Sequence, residues 1–400
     1  MLFAGGICFG QTSLTLQEAE ARALEVNPAL AVSRARIHQA EGQRMQAGLS
    51  PNPRLFLSTE DVRWWQSPPP FSYAQSTEDY AYVGQVIEAG GKRGRRVDVA
   101  SSDVRGTQLR GDLLKRQIQA RVSANYWAAD GAAQIRDLYQ QSLKTYEEDV
   151  EYIQNRVREG VIAEVDLMRI QVERDRVRVQ AINSERDYDQ ALVELYRAMG
   201  EPDFPATRLS DPLEEPAPMV LPDLAAALSS RPEELLAREA LTRSGANLKL
   251  QHADAKPDPE AFFGYKRDVG LDTLFASLQI DLPIRNRNQG NIGSAEAELQ
   301  SAQANLSLTE ANLRADFTSA IRTYQDEQRA FAQLPATRAN AEETARLARA
   351  AYREGGIDLL RLLDAERSRI DLEIQYFQNL VRLKQGMVNV QFAGGLEMQP

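Results

Sequence analysis

The side chains that most often carry chemistry are few in this sequence, and they stand apart. The single cysteine, Cys8, has no second thiol with which to pair. The two histidines, His38 and His252, are distant from each other and from Cys8. A zinc or catalytic metal site needs three or four ligands at short, regular spacing, and the sequence holds no Cys/His cluster of that kind. Two isolated histidines also leave no Ser/His/Asp or Cys/His relay to assemble. His38, alone on a polar helical segment, reads as a solvated surface residue. Gly90-Gly-Lys-Arg-Gly94 follows one strand pattern and opens a helical one, yet it lacks the spacing and the terminal Ser/Thr of a phosphate-cradling loop. The seven methionines form no cluster. No catalytic residue, cofactor or metal site is therefore expected.

Charge and composition narrow the classes further. The net charge of −10 argues against a nucleic-acid partner, which would need clustered Lys and Arg to neutralise phosphates. Ala, Leu, Glu, Gln and Arg dominate long stretches, and 26% of residues are charged, a mix that favours long helices or coiled coil. Residues 1–10 are largely apolar and read as the remnant of a signal peptide cleaved near Gly10. Lipidation of Cys8 is the alternative, although Gly6-Ile7 before it is a poor lipid-attachment sequence. Beyond this segment there is no run of 18 apolar residues, so a membrane role would fall to β-strands.

The elements that position any site come in duplicate. Leu16–Pro28 resembles Leu221–Pro232, an amphipathic segment stopped at proline in both cases. Gln85–Gly94 parallels Asp281–Gly290, and Arg158-Glu-Gly-Val-Ile162 parallels Arg353-Glu-Gly-Gly-Ile357. The last two pairs share an offset of about 195 residues, which marks an internal repeat. The first repeat covers 11–200, with a helix at about 27–49, strands at about 54–62 and 80–88, and a helical hairpin over about 92–200. The second covers 223–394, with strands at about 260–266 and 273–282 and a hairpin over about 288–394. Between them, 201–222 carries six prolines and reads as an extended connector.

Each hairpin is long. Lys92 to Glu159 contains no proline, enough for about 100 Å of helix. Tyr139, Leu143, Tyr146, Val150, Ile153 and Val157 keep the 3-4 spacing of a coiled coil. Ile170, Val177, Ala181, Ser184, Tyr188, Ala191 and Leu195 continue it after Gly160, and Ile370, Ile374, Phe377 and Val381 repeat it in the second half. The hairpins turn at Gly160 and at Gly355-Gly356, glycine being the residue that lets a helix reverse. Four strands with apolar residues cannot close a barrel, whereas three copies supply 12 strands. Trp64 and Trp65, in the loop that also holds Pro68-Pro-Pro70, suit a membrane–water interface. A soluble β-subdomain against a helical bundle would satisfy the same pattern.

The order of these elements resembles the TolC family of outer-membrane factors over essentially the whole chain. The residues that carry the resemblance are Ala47-Gly-Leu-Ser-Pro-Asn-Pro-Arg-Leu55, Glu88-Ala-Gly-Gly-Lys-Arg-Gly94 and Leu282-Pro-Ile-Arg-Asn-Arg-Asn-Gln-Gly-Asn-Ile292. Their form is most similar to the heavy-metal-efflux (CzcC-like) branch. The resemblance implies a mainly α fold with a membrane β-barrel: a homotrimer with a 12-stranded barrel in outer-membrane lipid, continued by an α-helical tunnel through the periplasm. It implies a periplasmic adaptor and an inner-membrane resistance-nodulation-division pump as partners. The duct would make no bonds and use no cofactor.

The same resemblance assigns two groups of residues. Gly160, Val161, Ile162, Gly355, Gly356 and Ile357 would form the periplasmic entrance and meet the adaptor, with Val161, Ile162 and Ile357 expected to be exposed. Arg361-Leu-Leu-Asp-Ala365 matches the family's acidic gate segment. Asp364 keeps the second acid of that segment, Arg361 replaces the first, and Asp166 matches an aspartate of the first hairpin. Alternating Asp364 and Arg361 copies would make a near-neutral, salt-bridged constriction. All three could equally be ordinary coiled-coil surface charges. A duct for organic compounds or secreted protein has the same fold, and a soluble periplasmic coiled-coil scaffold is the alternative from another class.

Overall fold

The computed structural model describes residues 12–65, 70–205, 207–217 and 219–396. The candidate signal segment with Cys8, and Pro68 and Pro69 of the strand-connecting loop, lie outside these residues. In chain order the elements are β1 (Thr12–Leu14), α1 (Leu16–Val26), α2 (Pro28–Ala47), β2 (Arg54–Glu60), α3 (Tyr73–Ser76), β3 (Glu78–Val86), α4 (Lys92–Arg158) and α5 (Glu164–Met199). They continue with β4 (Thr207–Leu209), α6 (Leu224–Ser230), α7 (Pro232–Asp254), β5 (Glu260–Asp268), β6 (Leu271–Gln279), α8 (Gln289–Phe331), α9 (Leu334–Arg353) and α10 (Leu359–Ala393). The fold is mainly helical, and no helix among the described residues is long and apolar enough to cross a membrane.

Several boundaries differ from the sequence expectation for local reasons. The helix expected over 27–49 is two helices, because Asn27 is extended and Pro28 opens α2. The strands expected at 54–62 and 80–88 are Arg54–Glu60 and Glu78–Val86, and those at 260–266 and 273–282 are Glu260–Asp268 and Leu271–Gln279. The second hairpin is interrupted between Phe331 and Leu334, where Pro335 starts a new helix. The connector at 201–222 contains β4, which pairs in parallel with β1. Tyr126 fixes that pair from α4, donating to the Leu14 carbonyl at 2.9 Å and accepting the Asp211 amide at 3.2 Å.

The chain divides into two compact units, each drawing on both repeats. Among the described residues, unit 1 comprises 12–32, 111–231 and 310–396. Its main core joins Leu16 and Ala23 of α1, Val122 and Tyr126 of α4, Leu195 and Met199 of α5, Phe331 of α8, and Leu380 and Val390 of α10. A second core joins Tyr146, Val150 and Ile153 of α4, Ile170 and Val177 of α5, and Leu359, Leu362 and Ile370 of α10. Unit 2 comprises 33–110 and 232–309 and holds one antiparallel sheet in the order β2-β3-β5-β6. The β3–β5 pairing, from Glu78↔Asp268 to Val86↔Glu260, joins a strand pair of each repeat into one surface.

Asp130 on α4 is a buried carboxylate in the core of unit 1, only 3% exposed. Burial pushes its pKa up to about 6, and among the described residues only Gln134 lies within hydrogen-bond reach, at 3.5 Å. The folded state thus binds this proton more tightly than the unfolded chain. The penalty for its charge is absent below about pH 4, grows as pH rises towards 6 and is complete above it. Asp130→Asn is expected to stabilise the protein by about 2 kcal/mol at pH 7.5, with the gain vanishing near pH 4. Thermal unfolding of both variants in detergent at the two pH values checks it.

Candidate functional site

Both hairpin tips use the same backbone device. At the end of α4, Gly160 adopts φ +75°, its amide donates to the Val157 carbonyl at 2.9 Å, and the Val161 amide donates to Arg156 at 3.0 Å. At the end of α9, Gly355 adopts φ +77°, its amide donates to Tyr352 at 3.0 Å, and the Gly356 amide donates to Ala351 at 2.8 Å. This is the Schellman arrangement, which satisfies the last carbonyls of a helix and favours glycine at the left-handed position. Each new helix then starts within a few residues. Asp358 caps α10 by accepting the Arg361 amide at 2.9 Å, while α5 has Glu164 and Asp166 in its first turn.

The tips expose less apolar surface than expected. Val161 is 57% exposed, but Ile162 and Ile357 are half-buried and pack on the second core of unit 1. They close the end of the helix bundle, where no further turn is available to cover Ile153 and Leu359. Asp166 lies 3.6 Å from Arg169. Arg361 and Asp364 are both exposed, one turn apart on α10, and no ion pair joins them among the described residues. Asp166 and Arg361 occupy matching places in the first turns of α5 and α10, again about 195 residues apart.

Three features here escaped the sequence pattern. Behind the tips, Tyr352 carries a buried hydroxyl with no hydrogen-bond partner among the described residues. Burial first, then the nearby charge of Asp166, pushes its pKa up to about 12. Deeper in the second core runs a chain of ion pairs. Arg349 reaches Glu366 at 2.7 Å and Asp149 at 3.6 Å. Arg369 contacts Glu366 at 3.1 Å, Glu373 at 3.6 Å and the Ser142 hydroxyl at 3.2 Å. The third feature is a second apolar row, running along α5 through Val165, Met168, Val172, Val179 and Ile182, with Val161 just ahead of it. All six are exposed. The steps of three and four residues are those of a coiled-coil seam. Asp175 fills one step and is paired with Arg174 and Arg178.

The sheet of unit 2 has two unlike faces, because side chains alternate along each strand. Register places Leu55, Val83, Phe263 and Ala276 in one row, and Leu57, Ala81, Tyr265 and Leu274 in the next. Leu55, Leu57, Val83, Phe263, Leu274 and Leu278 are exposed on this face. The other face carries ion pairs: Arg54 with Glu260, and Lys266 with Asp268 at 3.1 Å and Glu78 at 3.5 Å. The outer strands β2 and β6 leave two open edges.

The chain thus combines a sheet with one largely apolar face, one face bearing ion pairs and two open edges with long helical hairpins. The family model described as "Outer membrane efflux protein" matches residues 21–201 and 225–395. The chain belongs to this family. It is an outer-membrane efflux protein, in agreement with the resemblance drawn from its motifs, and the family is one of channels rather than enzymes. It is 27% identical over 375 residues to the cobalt-zinc-cadmium resistance protein CzcC of Cupriavidus metallidurans, covering 91% of this chain and 85% of that protein. It is 24% identical over 305 residues to the nickel-cobalt-cadmium resistance protein NccC of Alcaligenes xylosoxydans xylosoxydans, covering 75% of this chain and 68% of that one. Its fold is similar to that of the open-state MtrE outer membrane channel of Neisseria gonorrhoeae, with a TM-score of 0.78 at 20% identity over 95% of this chain and 89% of that one. Among the described residues no group of three or more His, Cys, Asp and Glu side chains is placed to hold a metal ion.

Proposed function

We propose that three copies of this chain form one duct, a 12-stranded barrel in outer-membrane lipid continued by a helical tunnel, that passively conducts heavy-metal cations. An inner-membrane resistance-nodulation-division pump would deliver the cations through a periplasmic adaptor. The observation that carries this proposal is the sheet. Its exposed apolar face, opposite a charged one, needs lipid, and its free β2 and β6 edges need strands. Pairing β6 of one copy with β2 of the next satisfies both. The exposed row on α5 supports the same assembly in the tunnel, since a second copy would cover it. Metal cargo is supported by the two resistance proteins the chain resembles. Deleting the chain from its host is expected to raise cell-associated cobalt, zinc or cadmium under metal challenge. Unchanged metal content with raised organic-dye content would move the cargo to the organic class.

The tips around Gly160 and Gly355-Gly356 are the proposed adaptor contact, with Val161 as its exposed apolar group while Ile162 and Ile357 hold the tips in shape. Val161→Asp should leave an intact trimer that no longer binds adaptor, and undiminished adaptor binding would remove the tip from this role. Asp364, Arg361 and Asp166 are the proposed gate. In a ring of three copies, Asp364→Ala leaves the Arg361 charges uncompensated. The cation-to-anion permeability ratio of the reconstituted pore is expected to fall about threefold or more. An unchanged ratio would make Asp364 a simple surface charge.

A further inference from the structure

The charged face of the sheet also carries an aromatic pocket of about 400 Å³, lined by Phe56, Tyr80, Tyr82, Phe262, Phe275 and Glu60 among others. Phe56 stacks on Tyr82 with ring centroids 4.7 Å apart, and Tyr82 meets Phe262 and Phe275 edge-on at 5.8 and 5.5 Å. Two glycines make this possible. A Cβ on Gly264 would lie 2.2 Å from the Tyr82 Cβ, and one on Gly84 would lie 2.8 Å from the Phe262 ring. Tyr82 therefore leans across β5 to reach β6. Covering bare glycines is a structural use of aromatic residues, and it accounts for Tyr82 and Phe262. It does not account for Phe56, which sits on the edge strand and is 45% exposed.

The carboxylates of this face outside the pocket each have a cation. Arg54 pairs with Glu260, and Lys266 pairs with Glu78 and Asp268. Glu60, the pocket's only carboxylate, has no cation among the described residues and touches only the Ser58 hydroxyl at 3.4 Å. The rings already attract one cation of the chain itself, since the Lys266 ammonium lies 5.2 Å from the centre of Tyr80. Aromatic faces draw cations through their quadrupole, and a cage of them with a carboxylate at its rim suits a weakly hydrated organic cation. Hydrated divalent metal ions hold their water too firmly to exchange it for ring faces.

We propose that this pocket is a binding site for monovalent organic cations with an aromatic-sized body, of the quaternary ammonium class. Access to it rests on the proposed placement of this face in the duct lumen, whereas its chemistry lies within one chain. Three such sites would ring the exit and let organic cations occupy or block a duct whose main cargo is metal.

Trimethylphenylammonium is the probe. Equilibrium dialysis against the purified protein in maltoside micelles should give saturable binding in the range of about 0.1–1 mM, not competed by zinc. Glu60→Gln should weaken it about fivefold, and Phe56→Leu by a similar factor, while Phe56→Tyr should keep it. Absence of saturable binding, or an affinity that neither Glu60→Gln nor Phe56→Leu lowers, overturns the proposal. Conductance of the same preparation in planar bilayers separates the two levels. A conducting pore that binds no probe keeps the duct and loses the pocket, whereas binding without conductance keeps the pocket and counts against the duct.

Discussion

Val172→Glu is expected to abolish trimer formation while leaving the folded chain intact. Val172 sits near the middle of the exposed row on α5 and is 65% exposed in the single chain, so the substitution disturbs little within it. In a seam between copies the same side chain would be covered. Burying one valine contributes about 1.5–3 kcal/mol, and burying an unpaired carboxylate there costs several more. Self-association should weaken by at least about 100-fold, the equivalent of about 3 kcal/mol. Light scattering on the purified protein in detergent should report monomer for Val172→Glu and trimer for Val172→Ala, with equal helical content by circular dichroism. Val177→Glu makes the contrast: Val177 is one of the side chains of the second core, and a charge there should lose helix as well as trimer. A stable trimer of Val172→Glu would assign the α5 row to another partner and remove it from the proposed assembly.

The 3-4 spacing of Val165, Met168, Val172, Val179 and Ile182 stands in the sequence beside that of Ile170, Val177 and Ala181, yet the pattern does not set the two rows apart. Periodicity reports that a helix has an apolar face. It does not say whether the neighbour is in the same chain, so a helix with two such faces reads as one wide one. The strand pairs, the tip glycines and the repeat were legible because each is local: alternation, a left-handed turn and a matched motif all lie within a few residues. The β1–β4 pair was not, since it joins residues about 195 apart across a proline-rich segment whose composition argues for loop.

The candidate site was legible to a lesser degree, for a related reason. Glycine announces a turn, but the exposure of the residues after it depends on what packs behind. Ile162 and Ile357 look like exposed tip residues in sequence and are drawn inward because the second core ends there. The compact units show the same limit. Each is built from both repeats, so the duplication describes the chain's order and leaves its spatial grouping to contacts between distant segments. Acidic and basic residues spaced through a heptad are normally surface groups, and nothing in the pattern around Glu366 or Arg369 sets them apart from Glu343 and Arg346, which pair in the open.

Glu366→Ala is expected to be among the most destabilising single changes in the helical hairpins. Its side chain is 4% exposed and holds Arg349 with one oxygen and Arg369 with the other. Removing it leaves two guanidinium groups in a region shielded from water. Arg349 would keep Asp149 at 3.6 Å and Arg369 would keep Glu373 at 3.6 Å, both beyond good hydrogen-bond length. Breaking such a network by one partner costs about 3–5 kcal/mol, mostly through the charge left behind. Replacing the set together, as Arg349→Met, Glu366→Leu and Arg369→Leu, should cost less than Glu366→Ala alone, because both guanidinium groups leave with their shared carboxylate while Asp149 keeps Arg353 at 3.8 Å and Glu373 keeps Arg338 at 3.9 Å. The comparison matters for what the network does. Leucine and isoleucine layers in a coiled coil tolerate a slip of one heptad, whereas alternating charges on α4, α9 and α10 match in one register only. The triple variant should therefore unfold at a temperature nearer to that of the unsubstituted protein than Glu366→Ala does, and cysteine pairs engineered across α4 and α9 should crosslink at more than one register. A triple variant less stable than the single one, with one register retained, would show that the ion pairs contribute stability and that packing alone aligns the helices.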